Sequence, residues 1–210
     1  MQPVVIVNCK AYEQGVGAGA KRVAEACKEF GAWIAVQPTD IRLCAQTGAK
    51  VFAQHVDDNS FGSHTGSVLC EAVKEAGAAG SLVNHSEKRL STQEVFSRVA
   101  RLKELGLTSV VCAESVERAQ ELVGCEPDFL ALELPELIGG DVSIVSAEPD
   151  LVSSAVQVLG DNVLLGAGVS SGEDLKTALD QGAKGVLLAS AIVKKTADPR
   201  GALKELYRLL

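Results

Sequence analysis

The sequence lacks the cysteine and histidine spacings of metal centres and disulfide-bonded folds. It has six cysteines, but none forms a CxxC pair or another metal-ligand spacing. Zinc, other metals and a disulfide framework are therefore not expected. No cofactor is expected either. Several cysteines stand inside apolar runs, where cysteine behaves as a small buried hydrophobe. We expect reduced core residues at Cys9, Cys27, Cys44, Cys70, Cys112 and Cys125.

The sequence also lacks an excess of positive charge and a long apolar run near its start. Its formal net charge is −7, which argues against a nucleic-acid partner, because binding along a phosphate backbone needs clustered lysines and arginines. A small anion is still compatible, since one lysine and backbone N–H groups can hold it. The run Val4–Val7 is too short for a signal sequence or a membrane span. We expect a cytoplasmic protein that does not contact a membrane.

No linker divides the chain. Proline- or serine-rich tracts, charge blocks and low-complexity runs are absent, and 47% apolar residues suffice for one continuous core. Residues 1–210 are therefore predicted to form a single domain.

Eight short apolar runs rich in β-forming residues recur along the chain, and segments with helical spacing separate most of them. The predicted strands are Val4–Val7, Trp33–Val36, Val51–Ala53, Ser81–Val83, Ser109–Cys112, Phe129–Leu132, Val163–Leu165 and Gly185–Leu188. The predicted helices are Ala20–Phe30, a short one within 40–49, Gly66–Ala76, Thr92–Leu105, Ser115–Leu122, Pro149–Val158, Gly172–Gln181 and Pro199–Leu209. Capping patterns at Ser91 with Glu94 and at Ser171 with Asp174 support two helix starts.

This alternation predicts an α/β protein with one closed (β/α)8 barrel, the TIM-barrel fold. An open doubly wound sheet is the alternative, but it usually carries a GxGxxG turn after its first strand, and none follows Val7. In such a barrel, the residues just past each strand form the mouth where active sites lie. Those positions hold Asn8 and Lys10, Gln37, Gln54 and His55, Asn84 and His85, Glu133, Gly166 to Gly168, and Ala189 with Ser190.

His85 stands in the segment Asn84-His85-Ser86-Glu87-Lys88-Arg89, between the fourth strand and a predicted helical segment. Unpaired N–H groups at a helix start favour a neutral imidazole, which can act as a hydrogen-bonding electrophile toward a substrate oxygen. The alternative is a histidine that only caps a helix or packs under a loop.

Glu133 ends an apolar strand at the barrel rim. A carboxylate that a ligand partly desolvates gains proton affinity, which suits a general base. Glu136, three residues later, is the alternative base, but Glu133 continues the strand directly and is better fixed.

Three further segments have the pattern of substrate-holding loops. Residues 135–140 read Pro-Glu-Leu-Ile-Gly-Gly, which is typical of a flap that closes and expels water; an ordinary glycine-containing loop is the alternative. Gly166–Gly172 and Leu188–Ala191 follow the last two strands, where barrels often bind phosphate through backbone N–H groups. With Lys10 as a nearby cation, these loops predict a phosphate site.

Together these residues resemble the triosephosphate isomerase family, in the compact form found in archaea, from Val4 to about Leu210. The matching motifs are Asn8-x-Lys10, Ala53-Gln54-His55-Val56-Asp57, Gly62-Ser63-His64-Thr65-Gly66, Asn84 to Arg89, Pro135 to Gly139, Gly166 to Asp174 and Gly185 to Ser190.

The resemblance implies interconversion of dihydroxyacetone phosphate and D-glyceraldehyde 3-phosphate through an enediolate. By the same resemblance, Glu133 would be the base and His85 the neutral electrophile. Lys10 would hold the substrate and stabilise the enediolate, Asn8 would orient both, and Glu87 would pair near Lys10. The positions that would close over or hydrogen-bond the substrate and its phosphate are Ile138, Gly139, Gly168, Ala189 and Ser190.

The resemblance also implies a homodimer, with a tetramer as the alternative. Segment 57–66 of one subunit would reach the first-strand site of the other, and Thr65 would approach the partner's Asn8 and Lys10.

The sequence departs from the family pattern at five positions that carry no catalytic group, Cys9, Leu134, Gly140, Asp141 and Ala191. Two rival functions fit part of the pattern. One is a Schiff-base aldolase with Lys10 as its nucleophile, and the other is a phosphosugar sensor without turnover. The joint presence of Asn8, Lys10, His85 and Glu133 favours the isomerase.

Overall fold

Eight strands form one closed parallel barrel, in which each strand pairs with the next and the eighth pairs with the first. The computed structural model describes residues 2–134, 143–147, 149–195 and 197–210. The strands are β1 (Val4–Asn8), β2 (Trp33–Val36), β3 (Lys50–Ala53), β4 (Gly80–Val83), β5 (Thr108–Ala113), β6 (Phe129–Glu133), β7 (Val163–Gly166) and β8 (Gly185–Leu188). The predicted barrel is confirmed.

Helices cover the outside of the barrel. They are α1 (Ala18–Phe30), α2 (Ile41–Ala45), α3 (Cys70–Glu75), α4 (Thr92–Glu104), α5 (Val116–Leu122), α6 (Ile144–Ala147), α7 (Pro149–Leu159), α8 (Gly172–Asp180), α9 (Ser190–Val193) and α10 (Pro199–Leu206). Short 3-10 turns occur at Glu13–Gly15, Pro38–Asp40 and Val123–Cys125. Within the described ranges, no helix combines the length and the apolar character that crossing a membrane requires.

Both predicted capping patterns are confirmed as full capping boxes, at Ser91 with Glu94 and at Ser171 with Asp174. Each serine side chain accepts a hydrogen bond from the backbone N–H three residues on, and the acidic side chain accepts one in return from the serine's backbone N–H. These boxes fix where α4 and α8 begin.

The predicted helix at Gly66–Ala76 is shorter than expected and begins only at Cys70. The residues before it are tied to Asp57 instead. The Asp57 N–H donates to the Val68 carbonyl over 2.9 Å, the Val68 N–H donates to the Asp57 carboxylate over 2.8 Å, and Leu69 forms a β-bridge with Asp57. This pairing holds residues 68 and 69 extended, so the helix starts after them.

Alternation along the strands divides the apolar side chains between two cores. One face of each strand packs against the helices, as Val5, Val7, Ile34 and Val51 do. The other face fills the barrel interior with Val4, Ile6, Ala35, Phe52, Leu82, Val110, Cys112, Ala131, Leu164 and Leu187. Since both faces are buried, the strands read as continuous apolar runs, which is why the sequence locates them well.

Aromatic side chains close the amino-terminal end of the barrel, which we call the closed end. Trp33 stacks on Phe52 with ring centroids 5.1 Å apart and meets Phe129 edge-on at 5.5 Å. The Lys50 ammonium lies 3.5 Å from the centroid of the Trp33 ring. At Gly80, a β-carbon would approach Phe52 to 2.5 Å, so this glycine makes room for the ring.

Candidate active site

The alternation continues to the carboxyl ends of the strands and just past them, and it places polar side chains at the barrel mouth. Each of five polar residues stands two positions after an interior residue, namely Asn8 after Ile6, Gln37 after Ala35, Gln54 after Phe52, Asn84 after Leu82, and Glu133 after Ala131. Inward-facing residues follow a period of two. The same register that fills the core therefore gathers amides and a carboxylate at the mouth.

Lys10 reaches the mouth by a different route, through a left-handed backbone conformation with φ of 49°. Its N–H donates to the Asn8 side-chain oxygen over 3.0 Å. Its carbonyl accepts hydrogen bonds from the side-chain amides of Gln37, at 3.2 Å, and Gln54, at 3.0 Å. The Lys10 ammonium lies 3.0 Å from Glu87 Oε1.

His85 presents one ring nitrogen to the protein and the other to the cavity. Its Nδ1 accepts a hydrogen bond from the backbone N–H of Glu87 over 3.2 Å. An accepting Nδ1 leaves the proton of a neutral ring on Nε2. That Nε2 lies 3.4 Å from Glu133 Oε1 and, among the described residues, has no hydrogen-bond partner.

The expectation that His85 stands at a helix start is wrong, because α4 begins only at Thr92. Asn84 is left-handed, with φ of 62°, which interrupts any helix there. Its amide donates to the Cys112 carbonyl over 2.8 Å, and its oxygen accepts from the Leu90 N–H over 2.7 Å. The donor to His85 therefore comes from a local turn, not from a helix start.

Glu133 is buried, with 5% of its surface exposed. Its Oε2 has no hydrogen-bond partner among the described residues. Gly166 stands beside it in the β6–β7 register, and a β-carbon there would lie 2.6 Å from Glu133 Cγ. Gly166 therefore leaves space for the carboxylate.

Cys112 lies one layer below Glu133 in the barrel interior. Burial, and then the nearby charge of Glu133, raise the pKa of the Cys112 thiol well above its usual value.

One cavity at the mouth joins most of the sequence-predicted site residues: Asn8, Lys10, His85, Glu133, Gly168, Ala189 and Ser190. We call it the main cavity. Tyr12, which sequence reasoning did not select, also lines it. Ala167 and Gly168 have φ of 87° and 70°, so the chain after β7 turns through left-handed conformations beside the cavity. Glu87 contacts the cavity through Lys10 and His85.

The predicted residues Ile138 and Gly139, the alternative base Glu136 and the flap departures Gly140 and Asp141 lie outside the described residues. Leu134, which directly follows Glu133, is buried.

A second cavity of about 310 Å³ lies beside the first strand and shares Asn8, Lys10 and His85 with the main cavity. We call it the side cavity. Gln37, Gln54 and His55 line it. His55 Nε2 lies 3.0 Å from Asp57 Oδ1, and burial lowers the pKa of the His55 imidazole. The structure therefore places His55 at the base of segment 57–66 and outside the main cavity.

The roles of Gln37, Gln54, Asn84 and Gly166 were not predicted from the sequence, although all four lie at or just past the carboxyl ends of strands. The signal that could have found them is strand parity, because each continues the inward face of its strand. Their contacts also depend on backbone conformations, which the alternation of side chains along a strand does not predict.

Comparison with known proteins gives one consistent family. Residues 3–204 match the family model described as triosephosphate isomerase. Curated triosephosphate isomerases include that of Methanosarcina acetivorans, 44% identical over 220 residues that cover 99% of each chain. That of Archaeoglobus fulgidus is also 44% identical, and the alignment covers 99% of this chain and 98% of the relative.

A solved structure agrees at the level of the fold. The crystal structure of triosephosphate isomerase from Bartonella henselae matches with a TM-score of 0.74 and 22% identity, covering 99% of this chain and 100% of the other.

Proposed function

Because the chain belongs to the triosephosphate isomerase family, we propose that the main cavity is the site where it interconverts dihydroxyacetone phosphate and D-glyceraldehyde 3-phosphate. The chain is an aldose–ketose isomerase of glycolysis and gluconeogenesis. The observation that supports this site most directly is that two buried polar side chains line the same cavity and each has an atom without a partner in the part of the chain that the structure describes. His85 Nε2 and Glu133 Oε2 have no hydrogen-bond partner among the described residues, and a substrate supplies what they lack.

Glu133 and His85 divide the proton chemistry between them. The Glu133 carboxylate takes a proton from C1 of dihydroxyacetone phosphate and returns it to C2, while protons also exchange between the two oxygens. The N–H on His85 Nε2 donates to the substrate oxygen on which negative charge develops. The 3.4 Å between His85 Nε2 and Glu133 Oε1 puts base and electrophile on neighbouring atoms of a small substrate.

Lys10 and Asn8 hold the charge of the bound substrate. The Lys10 ammonium stabilises the enediolate and attracts the anionic substrate. Asn8 ends β1, two residues after the interior Ile6, and its side-chain oxygen accepts the Lys10 N–H. Glu87 Oε1 lies 3.0 Å from the ammonium and orients it.

The β7 and β8 loops receive the phosphate. Gly168, Ala189 and Ser190 line the main cavity and offer backbone N–H groups where the absence of bulky side chains permits close approach. Ile138 and Gly139 complete the phosphate site in this proposal by the family pattern.

A coupled assay with dihydroxyacetone phosphate, run with and without EDTA, tests the activity and its independence of metal. We expect full activity in both conditions. Borohydride treatment with substrate present separates the aldolase rival, because only a Schiff base on Lys10 is trapped covalently. Trapped substrate, or activity that needs an added divalent ion, would contradict the proposal.

We further propose that the chain forms a homodimer through segment 57–66. The side cavity lies next to Asn8 and Lys10 and is open to receive a loop. In the segment, Phe61 is 76% exposed, and a partner surface would bury this ring. A tetramer would use additional surfaces.

Deletion of Ser60–Thr65 tests the dimer. We expect monomers with poor activity and an intact barrel, because the deleted residues contribute no strand. Light scattering and circular dichroism measure assembly and folding, and Phe61→Ser is a milder variant that keeps the loop length. A deletion variant that is monomeric and fully active would refute the role of this segment.

We also propose that residues 1–210 work as one catalytic domain in the cytoplasm. One barrel runs from Val4 to Leu188. All six cysteines are free thiols, which fits a reducing compartment.

A further inference from the structure

We propose that Gln37 and Gln54 are positioning residues for Lys10, holding its backbone left-handed so that its ammonium points into the main cavity. The inference rests on the role given to Lys10 in the proposed function. It concerns two glutamines that follow β2 and β3 and that the proton chemistry does not use.

Lys10 needs external support to keep its conformation. A positive φ crowds the β-carbon of any residue other than glycine and persists only where the surroundings impose it. Lys10 has φ of 49° and directly follows the last backbone bond of the strand, in which the Cys9 N–H donates to the Ala35 carbonyl over 2.9 Å. Beyond that bond, the regular β1–β2 pairing no longer restrains the chain.

Side-chain amides supply the support on both sides of Lys10. Its N–H is bound by the Asn8 side-chain oxygen at 3.0 Å. Its carbonyl is bound by Gln37 at 3.2 Å and Gln54 at 3.0 Å. The Gln54 amide also lies 3.2 Å from the Asn8 oxygen, so one amide group links both ends of the strained residue.

The chemistry of the contact requires donors. A carbonyl oxygen only accepts hydrogen bonds, so a side chain without an N–H or O–H cannot replace glutamine here. If both donors are lost, the Lys10 carbonyl is left unpaired in a half-buried position, and an ordinary negative φ becomes the better conformation. A change in the sign of φ turns the Cα–Cβ bond, which moves the ammonium away from the cavity.

The glutamines act through Lys10 and do not touch the substrate. Both line the side cavity, and neither lines the main cavity that holds His85, Glu133 and the phosphate loops. Their removal is therefore expected to weaken the handling of substrate charge without removing the base.

The variants Gln37→Met, Gln54→Met and their combination test this proposal. Methionine keeps the length of glutamine and lacks the donor. We expect kcat/KM to fall roughly tenfold for each single variant and about a hundredfold for the pair, mainly through KM, in line with the loss of buried hydrogen-bond partners. Gln46→Met, an exposed glutamine after α2, is the matched control and should stay within about twofold of the parent.

The Lys10→Gly background separates positioning from general structure. Glycine adopts a positive φ without strain and carries no ammonium, so Gln37→Met should cause no further loss there. Equal loss in both backgrounds would overturn the proposal, as would full activity of the double methionine variant. Dissociation into monomers that accounts for the lost activity would also count against it, because both glutamines line the side cavity.

Failure of the proposed function would look different. A parent chain without isomerase activity, or a Lys10→Gly variant as active as the parent, would contradict the role of Lys10 itself. An impaired Lys10→Gly variant beside unimpaired glutamine variants would contradict only the positioning role.

Discussion

The two ends of the barrel are built on the same strands but differ in what their buried side chains contact. At the closed end, Trp33, Phe52 and Phe129 fill the interior by ring contacts, and Gly80 makes room for Phe52. At the mouth, His85 and Glu133 are equally buried, yet each has a polar atom without a partner among the described residues. The closed end is filled by side chains that pack on one another, whereas the unpaired atoms at the mouth belong to side chains that line a cavity.

Backbone conformation follows this division in large part. Four non-glycine residues among those described have positive φ. Lys10, Asn84 and Ala167 lie just past the carboxyl ends of strands, whereas Glu126 ends the 3-10 turn that precedes β6. Such conformations cost on the order of 1–3 kcal/mol each. The packing of the interior and closed end is the source of stability that supports them. Strain together with unpaired buried atoms that line a cavity thus marks function at the mouth, while ring packing marks stability at the closed end.

The largest expected effect is at the mouth, in the variant Glu133→Gln. The amide keeps the size of the side chain but cannot take a proton, so turnover should fall by roughly 10²–10⁴-fold or more while substrate binding is largely kept. Steady-state kinetics in both directions measure the loss. Thermal unfolding should change little, because Glu133 Oε2 has no partner to lose among the described residues.

Glu136→Gln is the control for this prediction, since it removes a carboxylate three residues away. It should lose far less turnover. Equal losses in the two variants, or a greater loss at Glu136, would show that the base is wrongly assigned.

The variant Phe52→Ala should produce the opposite result at the closed end. Phe52 is fully buried and stacked on Trp33, so its truncation leaves a cavity and should lower the free energy of unfolding by about 3–5 kcal/mol. The kcat of the folded fraction should stay near that of the parent. Denaturant unfolding and kinetics at low temperature measure the two quantities separately.

Phe96→Ala is the matched control, because Phe96 is 36% exposed on α4 and should cost much less stability. A large fall in the kcat of folded Phe52→Ala would show that the two ends are coupled, and the division between stability and function would not hold.

The sequence predicted the barrel well because burial on both faces makes each strand a continuous apolar run. The predicted β2 and β8 coincide with the observed strands, and β1 is longer by one residue, Asn8. The start of α3 was wrong because the pairing of Asp57 with Val68 and Leu69 is a contact between segments, which helical spacing does not reveal.

The sequence predicted which residues form the site better than it predicted how they are arranged. Asn8, Lys10, His85 and Glu133 lie at or just past the carboxyl ends of strands, and the structure brings them to one cavity. The source of the hydrogen bond to His85 was wrong, because a left-handed Asn84 replaces the expected helix start with a turn. Positive φ at a residue other than glycine leaves no pattern in one sequence, since tertiary contacts impose it.

The smallest expected effect concerns how far a reagent can enter the barrel from the mouth. Cys112 stands beside Ala131 in the β5–β6 register, one layer below Glu133, and only 1% of its surface is exposed. Burial and the charge of Glu133 both keep its thiol protonated, and thiolate is the reactive form. Labelling with a thiol reagent at pH 8 should therefore leave Cys112 unmodified in the native protein, while the half-buried Cys125 reacts first of the six.

Labelling of Cys112 in the Glu133→Gln variant distinguishes two causes of low reactivity: exclusion of the reagent, and the effect of the Glu133 charge on the thiol. Removal of the carboxylate lowers the pKa of the thiol, which would accelerate the reaction if reagent reached it. We expect no acceleration in peptide mapping by mass spectrometry, because the side chains above Cys112 exclude the reagent. Rapid labelling in the parent, faster still in the variant, would mean that reagent passes Glu133 and enters the barrel interior. The accessible part of the barrel would then extend from the mouth toward Phe52.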